Sequence, residues 1–503
     1  MKSRFFISIL IVLSSLEAFS QVKPKKPNVI VILADDIGLG DISGYRRMHS
    51  KKIIVETPQI DQLMQEGMAF TDAHSPTALC APSRYSIMTG NNTYHSYAPW
   101  GVWGSYEKSP IKETDLTMGK LMRQADYNTA FFGKWHMGGD WYRKGSTTEI
   151  YRGPRWKTQT DVDVTQIISS GPKQNGFDYS FMYPAGIQDV PYTVYENEKW
   201  FPLNKNSKIG LITQKKMDKL KVKLDKDEGL GDTEWNPFDM GPLLINKAVD
   251  YINRASTEKP FFMYYCTQAV HKPHTPSESL NGKKIKGTTP VYHLDMIAEL
   301  DAQMAMLVDA LKKKGVYENT VIIFTSDNGG LPFKETLATG HRPSDIYRGG
   351  KNQIYEGGHR VPFIVVWPDK IKPNSKSSAL VSGTDIMATI AAISNKKLSK
   401  NQAMDSANLL PVFLENSEKS SRKVLLIQGG TAKNVAYREG EWKLIVKYKK
   451  EEIKPIALFN LNTSSGEKEA DNLINLPKYK ERINRMFLSY TKIRDTKTPS
   501  RNL

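Results

Sequence analysis

The chain is short of cysteine, with two among its 503 residues. That excludes a fold built on several disulfide bridges. It leaves Cys80 and Cys266 open to two readings, one bridge or two free thiols with separate fates. Long apolar runs are also missing. No stretch reaches the roughly 20 consecutive apolar residues of a membrane-crossing helix, so no membrane span is expected. Internal repeats, low-complexity tracts, a basic arm and a nucleic-acid-binding motif are absent as well. Solenoid architecture and a nucleic-acid partner are therefore not expected.

What the sequence does have begins at its start. Lys2 and Arg4 precede an apolar run over residues 5–13, and Ala18-Phe19-Ser20 offers small residues for cleavage. Residues 1–20 read as a secretory signal peptide cut near Ser20, which places the mature protein in the periplasm or outside the cell. Lys and Arg number 70 against 53 Asp and Glu, a formal charge of +17 that becomes +16 once Lys2, Arg4 and Glu17 are removed. A basic exported protein attracts polyanions, and a sulfated polysaccharide satisfies both facts.

Hydrophobic patterning predicts an α/β fold. Residues 28–33 are a β-branched run of the kind buried on both faces of a parallel sheet, and residues 129–132, 261–266, 321–325 and 362–367 read similarly. Apolar residues at helical spacing over 294–313 predict a helix between two of these strands. The expected architecture is a large mixed, mostly parallel sheet sandwiched by helices. Residues 140–245, rich in Gly, Pro and aromatics, predict long loops on one face. Short strands at 424–427, 435–437, 442–446 and 456–458, then a helix at 478–490, predict a smaller C-terminal α+β unit with an antiparallel sheet. The expected organisation is a catalytic domain over 21–415 and a C-terminal subdomain over 416–503.

Functional groups in such sheets gather beyond the carboxyl ends of strands. Asp35-Asp36 directly follows the first strand, where adjacent carboxylates repel unless a cation neutralises them. Asp327-Asn328 follows another strand. Three carboxylates and an amide oxygen make a hard, all-oxygen set suited to calcium or magnesium rather than zinc, although Asp and Asn before Gly also make ordinary turns. In Cys80-Ala81-Pro82-Ser83-Arg84, Pro82 can open a helix that sets Arg84 on the face of residue 80, where backbone N–H groups favour an anion. A plain thiolate with His136 or His271 as base is a second reading. Lys134 and His136 lie two apart beyond a strand, and an extended backbone aims both at one face.

Cys-x-Pro-Ser-Arg followed by Thr89-Gly90 resembles the signature of the type I sulfatases, a family that shares its fold with alkaline phosphatase. Further motifs follow in that family's order: Asp35-Asp36, Gly133-Lys134-Trp135-His136, Ala269-Val270-His271-Lys272-Pro273, Thr325-Ser326-Asp327-Asn328-Gly329, and Gly350-Lys351 ahead of Glu356-Gly357-Gly358. Weaker matches in the tail are Trp442-Lys443-Leu444 and Leu458-Phe459-Asn460-Leu461 before Glu469 and Asn472-Leu473. The resemblance implies a sulfuric ester hydrolase in which Cys80 is oxidised to formylglycine by a formylglycine-generating or anaerobic sulfatase-maturating enzyme. It implies one calcium ion held by Asp35, Asp36, Asp327, Asn328 and residue 80. It also implies catalytic roles for Cys80, Arg84, Lys134, His136, His271 and Lys351, with Lys134, His271, Lys351 and His274 touching substrate. Both His271 and His274 have the His-x-Pro form. Spacing from Phe261 favours His271 as proton donor, and His274 is the reserve.

A sulfated saccharide is the implied substrate, from an algal polysaccharide such as ulvan, carrageenan or fucoidan, with a glycosaminoglycan as the alternative. Trp141, Tyr142, Trp156, Tyr179, Tyr183, Tyr192, Tyr195 and Trp200 are candidates for stacking on sugar rings or, alternatively, for packing. Two rival functions are a phosphonate monoester or phosphodiester hydrolase of the same superfamily and a non-catalytic calcium-dependent glycan-binding protein.

Overall fold

The structure is a computed structural model that describes residues 26–153, 157–415, 420–430, 432–449 and 452–496. The expected signal peptide and Trp156 lie outside the described residues. The first β-branched run forms β1 (Asn28–Ala34), buried along almost its whole length. It is joined in one ten-stranded sheet by β2 (Met68–Phe70), β3 (Asn128–Lys134), β4 (Tyr179–Tyr183), β5 (Tyr195–Glu196), β6 (Lys199–Trp200), β7 (Phe261–Cys266), β8 (Thr320–Ser326), β9 (Phe363–Val366) and β10 (Ser375–Ser377). Their order is β10-β2-β9-β8-β1-β7-β3-β4-β5-β6. The central strands β8, β1, β7, β3 and β4 are parallel, and antiparallel pairings on both sides make the sheet mixed.

Three strands of this sheet, β4, β5 and β6, run against the expectation of loops over 140–245. β4 lies in the stretch expected as loop, yet it pairs parallel with β3 from Ala130↔Tyr179 to Lys134↔Tyr183. Its sequence Tyr-Ser-Phe-Met-Tyr has no β-branched residue, and its aromatics, though common in strands, stand in a stretch whose Gly, Pro and aromatic content reads as loop.

The helices fall into two groups. α1 (Pro58–Glu66), α4 (Met240–Arg254) and α5 (Tyr292–Lys313) pack together, with α5 touching both others, and α6 (Asp385–Ile393) packs on α2 (Cys80–Thr89) and α3 (Met118–Gln124). α2 is buried on every side, and the others bury apolar faces, giving the α/β sandwich that the alternation of strands and helices predicts.

Beyond it, β11 (Val424–Gln428), β12 (Asn434–Glu439), β13 (Trp442–Lys449) and β14 (Glu452–Asn460) form an antiparallel sheet, followed by α7 (Lys480–Thr496). Period-two alternation gives this sheet two buried faces. Leu426, Tyr437, Leu444 and Leu458 meet Met486 and Tyr490 of α7, while Leu425, Ile427, Ala436, Ile445 and Phe459 pack with Ile354. Among the described residues no helix is long and apolar enough to cross a membrane.

Candidate active site

Parallel register builds the site. Ala34 pairs with Ser326, so Asp35-Asp36 and Asp327-Asn328 leave adjacent strands at the same level. Leu33 pairs with Cys266, and Cys266 with Gly133, which brings Lys134 to the same edge. The Asp36 backbone N–H donates to Asp327 Oδ1 at 3.1 Å, locking the two acid pairs together. Gly133 is required here, since its φ is +91° and a Cβ would stand 1.8 Å from the Cys266 carbonyl oxygen.

All three carboxylates are buried, and their oxygens lie within 4.8 Å of one another. Three cations answer them. Lys134 Nζ donates to Asp35 at 2.7 Å, Lys351 Nζ to both oxygens of Asp36 at 2.5 and 2.8 Å, and Arg84 Nη2 to Asp327 at 2.7 Å. Burial penalises the Asp35 carboxylate, but Lys134 and Arg84 outweigh it and hold its carboxyl well below the usual range. Asp36 is lowered in the same way by Lys351. Asp327 goes the other way: burial, with the neighbouring Asp35 and Asp36 charges, pushes it up despite Arg84.

Two buried oxygens remain unused. Asn328 Oδ1 has no hydrogen-bond partner, and neither has Asp35 Oδ1, whose nearest ion partner is Arg84 at 3.5 Å. Orphaned oxygens beside three carboxylates fit a hard cation such as calcium, since an unpaired buried polar atom costs about 1–3 kcal/mol. Asp35, Asp36, Asp327 and Asn328 are thus able to hold the ion.

Cys80 opens α2 and is 3% exposed, with Arg84 one turn along on the same helix. Its Sγ lies 3.4 Å from His136 Nδ1. His136 arrives there differently from expectation: its φ of +55° makes a left-handed turn, so Lys134 and His136 reach the pocket through a bend rather than along an extended strand. Both cysteines are free thiols. Cys266 ends β7, where burial pushes its thiol up to about 12, so it acts as a small apolar side chain.

The structure also separates the two histidines. His271 Nε2 is 3.8 Å from Asp36 Oδ2, and Nδ1 is 2.8 Å from the Lys272 carbonyl. Burial, then Lys351, pushes this ring down to about 4. His271 lines one cavity of about 370 Å³ with Cys80, His136 and Lys351, whereas His274 lines a neighbouring cavity and packs on His293 and Phe333. The Cys80 cavity is also walled by Gln188, Asp189, Asp225 and Phe333. Sequence reasoning missed these, because they sit on connections without periodicity and carry no motif. The aromatic stacking candidates are mostly packing: Trp141, Tyr183, Tyr192 and Tyr195 are at most 1% exposed, and none of the eight lines the Cys80 cavity among the described residues.

A parallel sheet with a carboxylate-lined, cation-rich pocket at its strand ends defines a hydrolase of anionic esters. The chain belongs to the sulfatase family: that family's profile matches residues 27–395, and a second, described as N-sulphoglucosamine sulphohydrolase, C-terminal, matches residues 350–496. It is 33% identical over 457 residues to an N-acetylgalactosamine-6-O-sulfatase of Bacteroides thetaiotaomicron, covering 84% of this chain and 82% of that one. It is 30% identical to arylsulfatase G of Mus musculus, covering 82% and 73%. Among solved structures, one from a study of the metabolism of multiple glycosaminoglycans by Bacteroides thetaiotaomicron superposes with a TM-score of 0.78 at 28% identity, covering 93% of this chain and 99% of that one. The protein is a sulfuric ester hydrolase.

Proposed function

We propose that the chain removes sulfate from a sulfated saccharide with a formylglycine made from Cys80 and a calcium ion held by Asp35, Asp36, Asp327 and Asn328. The observation that carries this reading is the convergence of Cys80, three buried carboxylates and three buried cations at one strand edge. The bound ion supplies charge that acidifies a hydroxyl and offsets developing negative charge. The modified side chain supplies, when hydrated, one hydroxyl to attack sulfur and a second whose deprotonation releases sulfate, an exit that an ordinary thiol or serine ester lacks.

The chain's own residues do the rest. Arg84, Lys134 and Lys351 neutralise the sulfate oxygens. His136, in contact with residue 80, takes the proton from the side chain there. His271 gives a proton to the departing alcohol, and the negative charge of a sulfate ester beside it favours the protonated ring.

The N-acetylgalactosamine-6-O-sulfatase relative makes 6-O-sulfated N-acetylgalactosamine, a glycosaminoglycan unit, the first substrate to test. The algal polysaccharides ulvan, carrageenan and fucoidan complete the panel. Protein exported to the periplasm or medium would meet either kind of polymer.

The deciding experiment is mass spectrometry of the peptide spanning Cys80, from protein made with a formylglycine-generating or anaerobic maturating enzyme, alongside turnover of the panel. We expect an aldehyde at residue 80, and loss of at least about 10³-fold in turnover in Cys80→Ala. An unmodified thiol in fully active protein defeats the formylglycine reading and restores the thiolate with His136 as base. Matched aryl sulfate and aryl phosphate esters measure the rival phosphoester activity. Chelation should lower activity and also stability, the latter by the linkage term of about 2.7 kcal/mol for an ion at a hundred times its Kd, read out as a fall in melting temperature.

A further inference from the structure

The cavity that receives His274 is not part of the sulfate pocket, but it continues it. It encloses about 400 Å³ and shares Asp225, Lys272 and Phe333 with the cavity at Cys80. A partly exposed Phe333 ring thus stands at the junction. On the far side Tyr292 is 45% exposed, high for an aromatic ring at a cavity lip. Flat, exposed rings beside a polar cleft are surfaces on which sugar faces pack, because the C–H face of a pyranose is apolar while its hydroxyls stay hydrated.

Charge is the second observation. Lysines are spread along most of the chain, yet residues 215–226 hold six of them, Lys215, Lys216, Lys219, Lys221, Lys223 and Lys226, against Asp218 and Asp225. The fold lays this segment over the site. Lys221 and Lys223 are exposed and line the second cavity, and Lys226 lines the first. Of the acids that follow, Asp227 lines another cavity and the Glu228 carboxylate accepts the Gln214 backbone N–H at 2.8 Å. Asp225 is already held by Lys272 at 2.6 Å and Lys226 at 3.0 Å, which leaves Glu335 facing Lys221 and Lys223 among the cavity's charged walls.

We infer that this second cavity is a subsite for the saccharide unit next to the sulfated one, with Tyr292 and Phe333 packing on the ring and Lys221 and Lys223 binding an anionic group, carboxylate or sulfate, that it carries. The inference rests on the hydrolase reading above and narrows the substrate to an oligosaccharide with negative charge on two neighbouring units. Lysine ammonium groups on an open rim act as point charges, so the preference shows mainly in KM and fades with salt as the screening length falls below about 8 Å.

The test uses whichever sulfated sugar the panel shows to be turned over, in three forms. These are the sugar alone, its disaccharide with a neighbouring uronate, and the same disaccharide with the uronate carboxyl reduced to an alcohol. The expected kcat/KM ranks uronate disaccharide above reduced disaccharide by about tenfold at low salt, and reduced disaccharide above monosaccharide. Lys221→Gln combined with Lys223→Gln should erase the first gap, Tyr292→Ala should narrow the second, and neither should change turnover of the monosaccharide. Equal kcat/KM across the three forms in the wild type overturns the subsite while leaving the hydrolase reading intact, and so does a gap that survives the lysine changes. Failure of aldehyde-bearing protein to turn over any panel member defeats the hydrolase reading and the subsite with it.

Discussion

At the scale of single residues, the two histidines of the His-x-Pro repeats carry the sharpest test. His271 is beside Asp36 and in the cavity of Cys80, while His274 is a cavity away. A proton donor matters most when the leaving alcohol is a poor one. His271→Ala should therefore cost about 10²–10⁴-fold in kcat on a sugar sulfate and markedly less on an aryl sulfate with an acidic phenol, whereas His274→Ala should leave that ratio unchanged. Equal losses on both ester types in His271→Ala would remove it from the donor role. Spacing from Phe261 already favoured His271 in the sequence, but both histidines have the His-x-Pro form, and it is the fold that sends them to different cavities. By contrast the acid pairs were legible at once. Each directly follows a β-branched strand, and a strand end in a parallel sheet is a place where the chain must present polar groups together.

At the scale of elements, α5 illustrates a buried charge that does no chemistry. Asp301 lies on α5 and accepts the backbone N–H groups of Gln59 and Ile60 at the start of α1, each at 2.9 Å. Burial nevertheless pushes its carboxyl up to about 7, against those two hydrogen bonds. A folded-state pKa above the unfolded value of about 3.9 means that the protonated side chain favours folding. The contribution is complete below about pH 4 and is lost as pH rises through 7. Asp301→Asn should flatten the fall in melting temperature across that window, and an unchanged slope would show that the N–H groups keep the carboxylate charged. β4 shows where element-scale reading fails: its rings are covered by tertiary neighbours, Tyr179 by Tyr251, Tyr183 by the Met240 carbonyl of α4, and Phe181 by Phe201, not by any pattern of its own. The walls of both cavities were hidden for the same reason, since Gln188, Asp189 and Asp225 come from connections whose course is set by tertiary packing.

At the scale of the whole molecule, the two sheets are pinned by buried ions. Lys443 on β13 is fully buried and reaches Glu356 at 2.9 Å, Glu467 at 2.8 Å and His359 Nε2 at 3.0 Å. His74, Glu356 and His359 have metal-ligand geometry, and the lysine ammonium sits among them in the place of a cation. Glu356 lies five residues after Lys351, so this ion cluster also braces the loop that delivers Lys351 to Asp36. Lys443→Met leaves two buried carboxylates short of a partner and should destabilise by about 3–5 kcal/mol. Adding Glu467→Gln should recover part of that loss, and no recovery would locate the damage in packing. The tail motif Trp442-Lys443-Leu444 was legible as a pattern, but its role was not, because two of its partners, Glu356 and His359, lie more than eighty residues earlier.

The bond from the Asp36 amide to Asp327 joins positions 291 apart in the chain. Neither half of the polypeptide owns all four oxygen-bearing side chains, so the set proposed to hold calcium is complete only when the first and eighth strands have zipped into their final alignment. Titrating calcium into partly refolded protein would therefore report on closure of the central sheet itself, because under the proposed function the ion would act as a latch on this long-range pairing.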